Sequence, residues 1–228
     1  MAALGWAVIW KVMELGTDAL SRVSSILCLG AHPDDIEIGC GGFILRLLQM
    51  NPGMKVGWVV LTAGDGRATE ARESAERMLQ GSAEPNVVVH DLRESYLPYV
   101  GAEVKEFFDA MGSTYSPDLV LTHYRQDLHQ DHRLVCELTW NTFRNHLILE
   151  YEIPKYDGDL GSPNLFVQLD EDTCERKVLH LLDAFPSQRQ KPWFTRGTFW
   201  ATLRLRGMEC RSQTGLAEGF YCRKLVLA

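Results

Sequence analysis

Short apolar runs alternate with segments of helical periodicity along the first two thirds of the chain. Ser25–Ala31 is an apolar run that stops at small residues, the pattern of a buried strand ending in a loop. Gly41–Gln49 spaces its apolar residues as a helix does. Lys55–Thr62 is a second strand, Gly64-Asp65-Gly66 breaks the chain, and Thr69–Leu79 is helical. A third strand over Asn86–His90, a helix over Ala102–Met111, a fourth strand over Asp118–His123 and a long helix over Asp131–His146 follow. This βαβα order predicts an α/β domain, a mostly parallel sheet with helices on both faces. Beyond Tyr151 the pattern weakens. Tyr151–Pro163, with Pro154, Gly158, Gly161 and Pro163, reads as a long loop. Val167–Leu169 reads as a short strand, Glu171–Phe185 as a helix and Tyr221–Leu227 as a last strand.

With 228 residues, 46% of them hydrophobic, the chain can bury the core of one ordinary domain. Its net charge of -7 argues against nucleic acid or an acidic membrane as the main partner, because both select basic surfaces. Cys28, Cys40, Cys136, Cys174, Cys210 and Cys222 form no C-x-x-C pair, and several sit in apolar runs. We read them as reduced thiols and the protein as cytoplasmic. Met1–Leu15 is apolar but shorter than the roughly 20 residues of a membrane span. Lys11 and Glu14 come too late for the charged front of a signal peptide. The segment is expected to pack as a helix, which makes 1–22 an N-terminal helical extension and 23–228 the main domain.

Two polar clusters interrupt this plan, and each follows a strand. Gly30-Ala31-His32-Pro33-Asp34-Asp35 succeeds the first, and Asp127-Leu128-His129-Gln130-Asp131-His132 succeeds the fourth. Carboxyl ends of strands are where open α/β sheets bind ligands. If the two strands are near neighbours, His32, Asp35 and His132 converge. Two imidazoles and a carboxylate are a normal catalytic zinc set with a position left open for water, whose pKa Zn²⁺ lowers to about 7. Iron or cobalt would accept the same ligands. Asp34 points away from its neighbour on an extended loop and is a candidate general base. His129 lies about one helical turn before His132 and can face the same pocket without ligating; protonated, it would stabilise an oxyanion and then protonate a leaving amine. Asp131 would orient His129 or back a ligand histidine. Taken singly, these residues have plainer readings: Asp34 and Asp131 are both placed to cap helices. Gly39-Cys40-Gly41-Gly42 lacks the G-x-G-x-x-G order of a dinucleotide loop, although Asp65 stands near the place of its acidic partner; we read the glycines as close packing.

Ala31-His32-Pro33-Asp34-Asp35-Ile36-Glu37-Ile38-Gly39-Cys40-Gly41-Gly42 together with His129-Gln130-Asp131-His132 resembles the PIG-L/LmbE-like family of zinc-dependent sugar de-N-acetylases. The similarity runs from about Ser24 to His146, and Pro186-Ser187-Gln188 and Ala217-Glu218-Gly219-Phe220 resemble late family patches. The resemblance implies a Rossmann-like fold and removal of the N-acetyl group from a GlcNAc-type amino sugar or sugar conjugate. It implies His32, Asp35 and His132 as metal ligands and Asp34 as general base. It further implies His129 as the group that stabilises the tetrahedral intermediate, with Asp131 as its carboxylate partner. Family members often assemble, so a homo-oligomer is compatible with it. An R-x-x-E pattern whose arginine reaches substrate is matched by Arg67-Ala68-Thr69-Glu70, with Arg72 as competitor, and Arg125 is a third candidate for a phosphate or sugar hydroxyl. Leu216 stands where the family often has a tyrosine, which leaves Tyr151 and Tyr156 as substitutes. The alternatives are a non-catalytic nucleotide- or sugar-binding domain that uses the glycine run, or a metal hydrolase of another amide or ester.

Overall fold

The computed structural model describes residues 17–64 and 66–226. The expected helix over Met1–Leu15 and the candidate Asp65 lie outside the described residues. Seven strands, β1 (Ser25–Gly30), β2 (Lys55–Thr62), β3 (Glu84–Leu92), β4 (Leu119–His123), β5 (Leu147–Tyr151), β6 (Leu165–Gln168) and β7 (Ala217–Cys222), form one sheet in the order β3-β2-β1-β4-β5-β7-β6. The first five run parallel, and β7 is antiparallel to both β5 and β6. Six helices cover it: α1 (Asp35–Met50), α2 (Arg67–Met78), α3 (Gly101–Thr114), α4 (Gln130–Thr142), α5 (Glu171–Ala184) and α6 (Arg196–Glu209). This is a Rossmann-like α/β domain.

β1 shows why its sequence is apolar throughout. Ile26 and Cys28 enter the core beneath α1 and α5, while Leu27 and Leu29 enter the core beneath α3 and α4. A strand covered on both faces carries no polar alternation. The chain leaves β1 towards β2 on one side and later places β4 on the other. The loops after β1 and β4 therefore flank a topological switch point, where the crevice at the sheet's carboxyl edge opens. Both polar clusters lie there.

Five elements differ from expectation. α1 begins at Asp35, not Gly41, because it is two helical pieces joined at Cys40, whose φ of -143° and ψ of 15° are non-helical. α4 stops at Thr142, and Leu147–Tyr151 then forms β5, a strand that falls between the expected helix, drawn to His146, and the expected loop, drawn from Tyr151. α6 was not expected at all. β7 spans Ala217–Cys222 rather than Tyr221–Leu227, since the buried Glu218 disguises its first half as polar. The glycine run is packing: a Cβ on Gly39 would lie 2.1 Å from Tyr151 Cδ2, and one on Gly42 2.5 Å from Leu169 Cδ1. All six cysteines are free thiols. Among the described residues no helix is long and apolar enough to cross a membrane.

Candidate metal centre

β1 and β4 are hydrogen-bonded neighbours, so residues a hundred positions apart meet beyond their ends. His32 Nδ1 lies 3.1 Å from His132 Nε2 and 3.2 Å from Asp35 Oδ2, and His132 Nε2 lies 3.5 Å from Asp35 Oδ2. These separations match the edge of a tetrahedron with bonds of roughly 2.0–2.1 Å, about 3.4 Å. All three residues are buried.

The outer nitrogen of each histidine decides what the inner one offers. His32 Nε2 lies 3.0 Å from Asp131 Oδ2, and His132 Nδ1 lies 2.9 Å from Asp127 Oδ2. A proton held on each outer nitrogen leaves the two inner nitrogens as lone pairs, facing each other and a carboxylate. Such a cup favours a cation, and carboxylate-backed histidines are the usual way proteins present imidazole to a metal. The surrounding carboxylates also favour positive charge in the cup. Burial opposes charge on His32, yet Asp35 and Asp131 push it up to about 10. Burial alone would raise the Asp35 carboxyl, but His132, His32 and His123 hold it well below the ordinary carboxylate range.

Two other three-donor sets lie within 4.8 Å: His32, His129 and His132, and Asp35, His123 and His132. Hydrogen bonding disfavours both. His123 Nε2 accepts the Ala31 N–H at 2.9 Å, and His129 Nδ1 accepts the Asp131 N–H at 3.2 Å, which puts the His129 proton on Nε2. His123 is nonetheless a member of the cluster that sequence reasoning missed. It is fully buried, stacks on His132 with ring centroids 3.9 Å apart, and is pushed down to about 4 by burial and His132. As the last residue of an apolar strand it carried no distinguishing signal.

Asp34 occupies the N-cap position of α1, but its side chain makes no capping hydrogen bond. Its φ of 94° is the left-handed region, a strain of roughly 1–3 kcal/mol for a residue other than glycine. Burial, only partly offset by Arg67 3.4 Å away, pushes its carboxyl up to about 7. The capping explanation for Asp34 therefore fails.

Asp131 is no cap either. It lies inside the first turn of α4, where its carboxylate accepts the Ser95 and Leu97 N–H groups besides facing His32. It touches His129 only through its own backbone N–H. Of the two roles the sequence offered Asp131, the geometry brings together the second: its carboxylate backs His32, and the His129–Asp131 carboxylate pair implied by the resemblance is not formed. Asp127, for which the sequence suggested no role, backs His132 and accepts the His129 N–H at 2.8 Å. Burial and the neighbouring His132 push His129 down to about 4, which favours its neutral form over the protonated one the sequence suggested.

Of the three arginines, the structure brings one to the cluster. Arg67 donates to the Pro33 carbonyl at 2.6 Å beside Asp34. Glu70, one turn on, accepts the Ser187 N–H, joining the R-x-x-E segment to the Pro186-Ser187-Gln188 patch. Arg72 instead donates to the Val89 carbonyl on β3, and Arg125 is exposed on the β4–α4 loop. Tyr151 lies behind the cluster, its hydroxyl donating to the Leu29 carbonyl, and Tyr156 is exposed against Trp193.

Residues 27–143, from β1 to the end of α4, match the family described as PIG-L: GlcNAc-PI de-N-acetylase. The uncharacterized deacetylase YaiS of Escherichia coli K12 is 30% identical over 143 residues, covering 59% of this chain and 76% of that protein. Among solved structures, the N,N'-diacetylchitobiose deacetylase of Pyrococcus horikoshii superposes with a TM-score of 0.64 at 21% identity, over 88% of this chain and 84% of its own. The 4-carboxy-2-hydroxymuconate hydratase GalB of Pseudomonas putida KT2440 superposes with a TM-score of 0.70 at 16% identity, over 90% and 98%. At those identities the superpositions establish the shared fold, and the reaction has to be argued from the site. Since the family match spans both loops that build the histidine–aspartate cluster and half the chain, this protein belongs to the PIG-L de-N-acetylase family.

Proposed function

We propose that the chain is a zinc-dependent hydrolase that removes the N-acetyl group from a GlcNAc-type amino sugar or sugar conjugate. One observation carries the reading. Two buried histidines, each backed by its own carboxylate, converge with Asp35 beside an Asp34 that the fold does not use.

His32 Nδ1, Asp35 Oδ2 and His132 Nε2 would hold the cation. Zn²⁺ bound there supplies Lewis acidity towards a carbonyl and lowers the pKa of water to about 7. The chain's own groups do the rest. Asp34, whose proton affinity lies near neutrality, takes the proton of the attacking water and returns it to the departing nitrogen. His129 stays neutral and donates its Nε2–H to the acetyl oxygen as charge builds there. Asp131 and Asp127 fix the ring orientations of His32 and His132. Arg67 holds Asp34 in place and faces the substrate hydroxyls. The amide C–N bond breaks, one water is consumed, and the products are acetate and the free amine. Family membership and the relationship to the YaiS deacetylase favour this bond over an ester. The hydratase on the same fold is the reason the test must read the bond cleaved.

Amine release across a panel of N-acetylated sugars by zinc-reconstituted protein tests the reaction. Asp34→Asn should keep the metal and lose at least about a hundredfold in turnover. No amine from any N-acetylated sugar would overturn the reaction class, and a near-normal rate in Asp34→Asn would overturn the assigned base.

A further inference from the structure

The loop between β5 and β6, residues 152–164, is tied down at two places. Its base is held by buried Arg206, which donates to both Glu152 carboxylate oxygens at 2.9 and 2.8 Å and to the Gly161 carbonyl at 3.1 Å. Its outer part is tied to the loop that carries the metal-facing histidine. Lys155 Nζ lies 3.0 Å from Asp127 Oδ2, the same oxygen that faces His132 Nδ1 at 2.9 Å. Lys155 also contacts Asp159, whose Oδ2 accepts the Leu128 N–H at 2.7 Å. The Lys155 side chain is only 8% exposed, so this is not a solvated surface pair.

We infer that Lys155 is a positioning residue that latches the 152–164 loop to the β4–α4 loop and, by sharing Asp127 with His132, weakens the hold of the centre on its cation. The inference rests on the proposed His32–Asp35–His132 centre. One carboxylate oxygen serves an imidazole and an ammonium at once. The ammonium draws charge from Asp127 and adds its own positive charge near the cation, so His132 is a poorer donor than Asp127 alone would make it. The same contact ties the loop down. Tight metal and a fixed loop are therefore traded against each other through one side chain. Removing the lysine should move the two properties in opposite directions, which a general loss of structure would not do.

The test compares wild type, Lys155→Met and Asp159→Asn for Zn²⁺ affinity by chelator competition and for amide exchange across residues 152–164. In Lys155→Met we expect binding about fivefold tighter, the effect of removing a unit charge near a divalent cation through a water-like dielectric. The exchange of loop amides and of the Leu128 N–H should be faster. Asp159→Asn leaves Lys155 on Asp127, so it should speed loop exchange without tightening the metal. Equal or weaker Zn²⁺ binding in Lys155→Met, or unchanged loop exchange, overturns the latch. Absence of stoichiometric Zn²⁺ in the wild type overturns the underlying centre instead, so the two failures are distinguishable.

Discussion

Glu218→Gln tests whether one buried carboxylate holds the break in α1 that aims Asp35. Glu218 Oε1 accepts the Gly42 N–H at 2.8 Å and Lys177 Nζ at 2.6 Å, and Oε2 accepts the Phe43 N–H at 2.7 Å. Lys177 Nζ also donates to the Ile38 carbonyl at 2.6 Å. The pair thus serves both broken ends of the helix around Cys40: a carbonyl of the first turn and the amides that open the longer piece. Glutamine cannot reproduce this. Whichever way its amide is flipped, an NH₂ faces a backbone N–H, and Lys177, 4% exposed, loses its counter-charge. Breaking a buried pair on one side costs about 3–5 kcal/mol. In a chain of this length each kcal/mol lowers Tm by roughly 2–4 °C, so calorimetry of the metal-free protein should show a fall of about 6–20 °C. The double variant Lys177→Met/Glu218→Leu should lose less than the sum of its single variants, because neither charge is stranded. A Tm within about 2 °C of wild type for Glu218→Gln would refute the reasoning, since the carboxylate would then carry none of the kink.

Two further outcomes follow from the geometry. His129→Ala should retain Zn²⁺ while lowering kcat by about 10²–10³-fold, as loss of one oxyanion donor does; parallel loss of metal would mean that His129 is a ligand instead. Burial, and then Arg77, pushes His180 down to about 4, whereas an unfolded histidine titrates near 6.5. Between those values the unfolded chain binds more protons, so stability rises with pH and is lost as pH falls from about 6.5 to 4. His180→Gln should remove about 1–3 kcal/mol of that slope in chemical melts at pH 4.5 and 7.5, and an unaltered slope would contradict the assignment.

The half of the fold that carries the chemistry was legible in the sequence because its strands are covered on both faces. β1, β2 and β4 are continuous apolar runs, and each polar cluster starts where such a run ends. The later half hides its plan in buried charge. Glu218 in β7 and Arg206 in α6 are polar in sequence yet buried in ion pairs, so neither element shows a clean apolar period. β5 went unassigned because it is five residues long and one of them, Glu150, is a buried charge held by Trp140 and Arg223. Within the cluster, spacing suggested which residues could converge but not which carboxylate backs which ring. The His32–Asp131 contact joins residues 99 positions apart and depends on side-chain direction, which no local pattern encodes. For the same reason Asp127 and His123 escaped notice, and the choice between Arg67 and Arg72 needed the helix to be placed against the β1–α1 loop.

The central claim is that one divalent cation sits among His32, Asp35 and His132. Anomalous diffraction on either side of the zinc edge, from crystals of zinc-loaded protein, tests it most directly. The account predicts a single peak bonded to His32 Nδ1, Asp35 Oδ2 and His132 Nε2 at about 2.0–2.2 Å, with His123 and His129 unligated. A peak coordinated by His123 or His129, or no peak at the β1–β4 crevice, would contradict it.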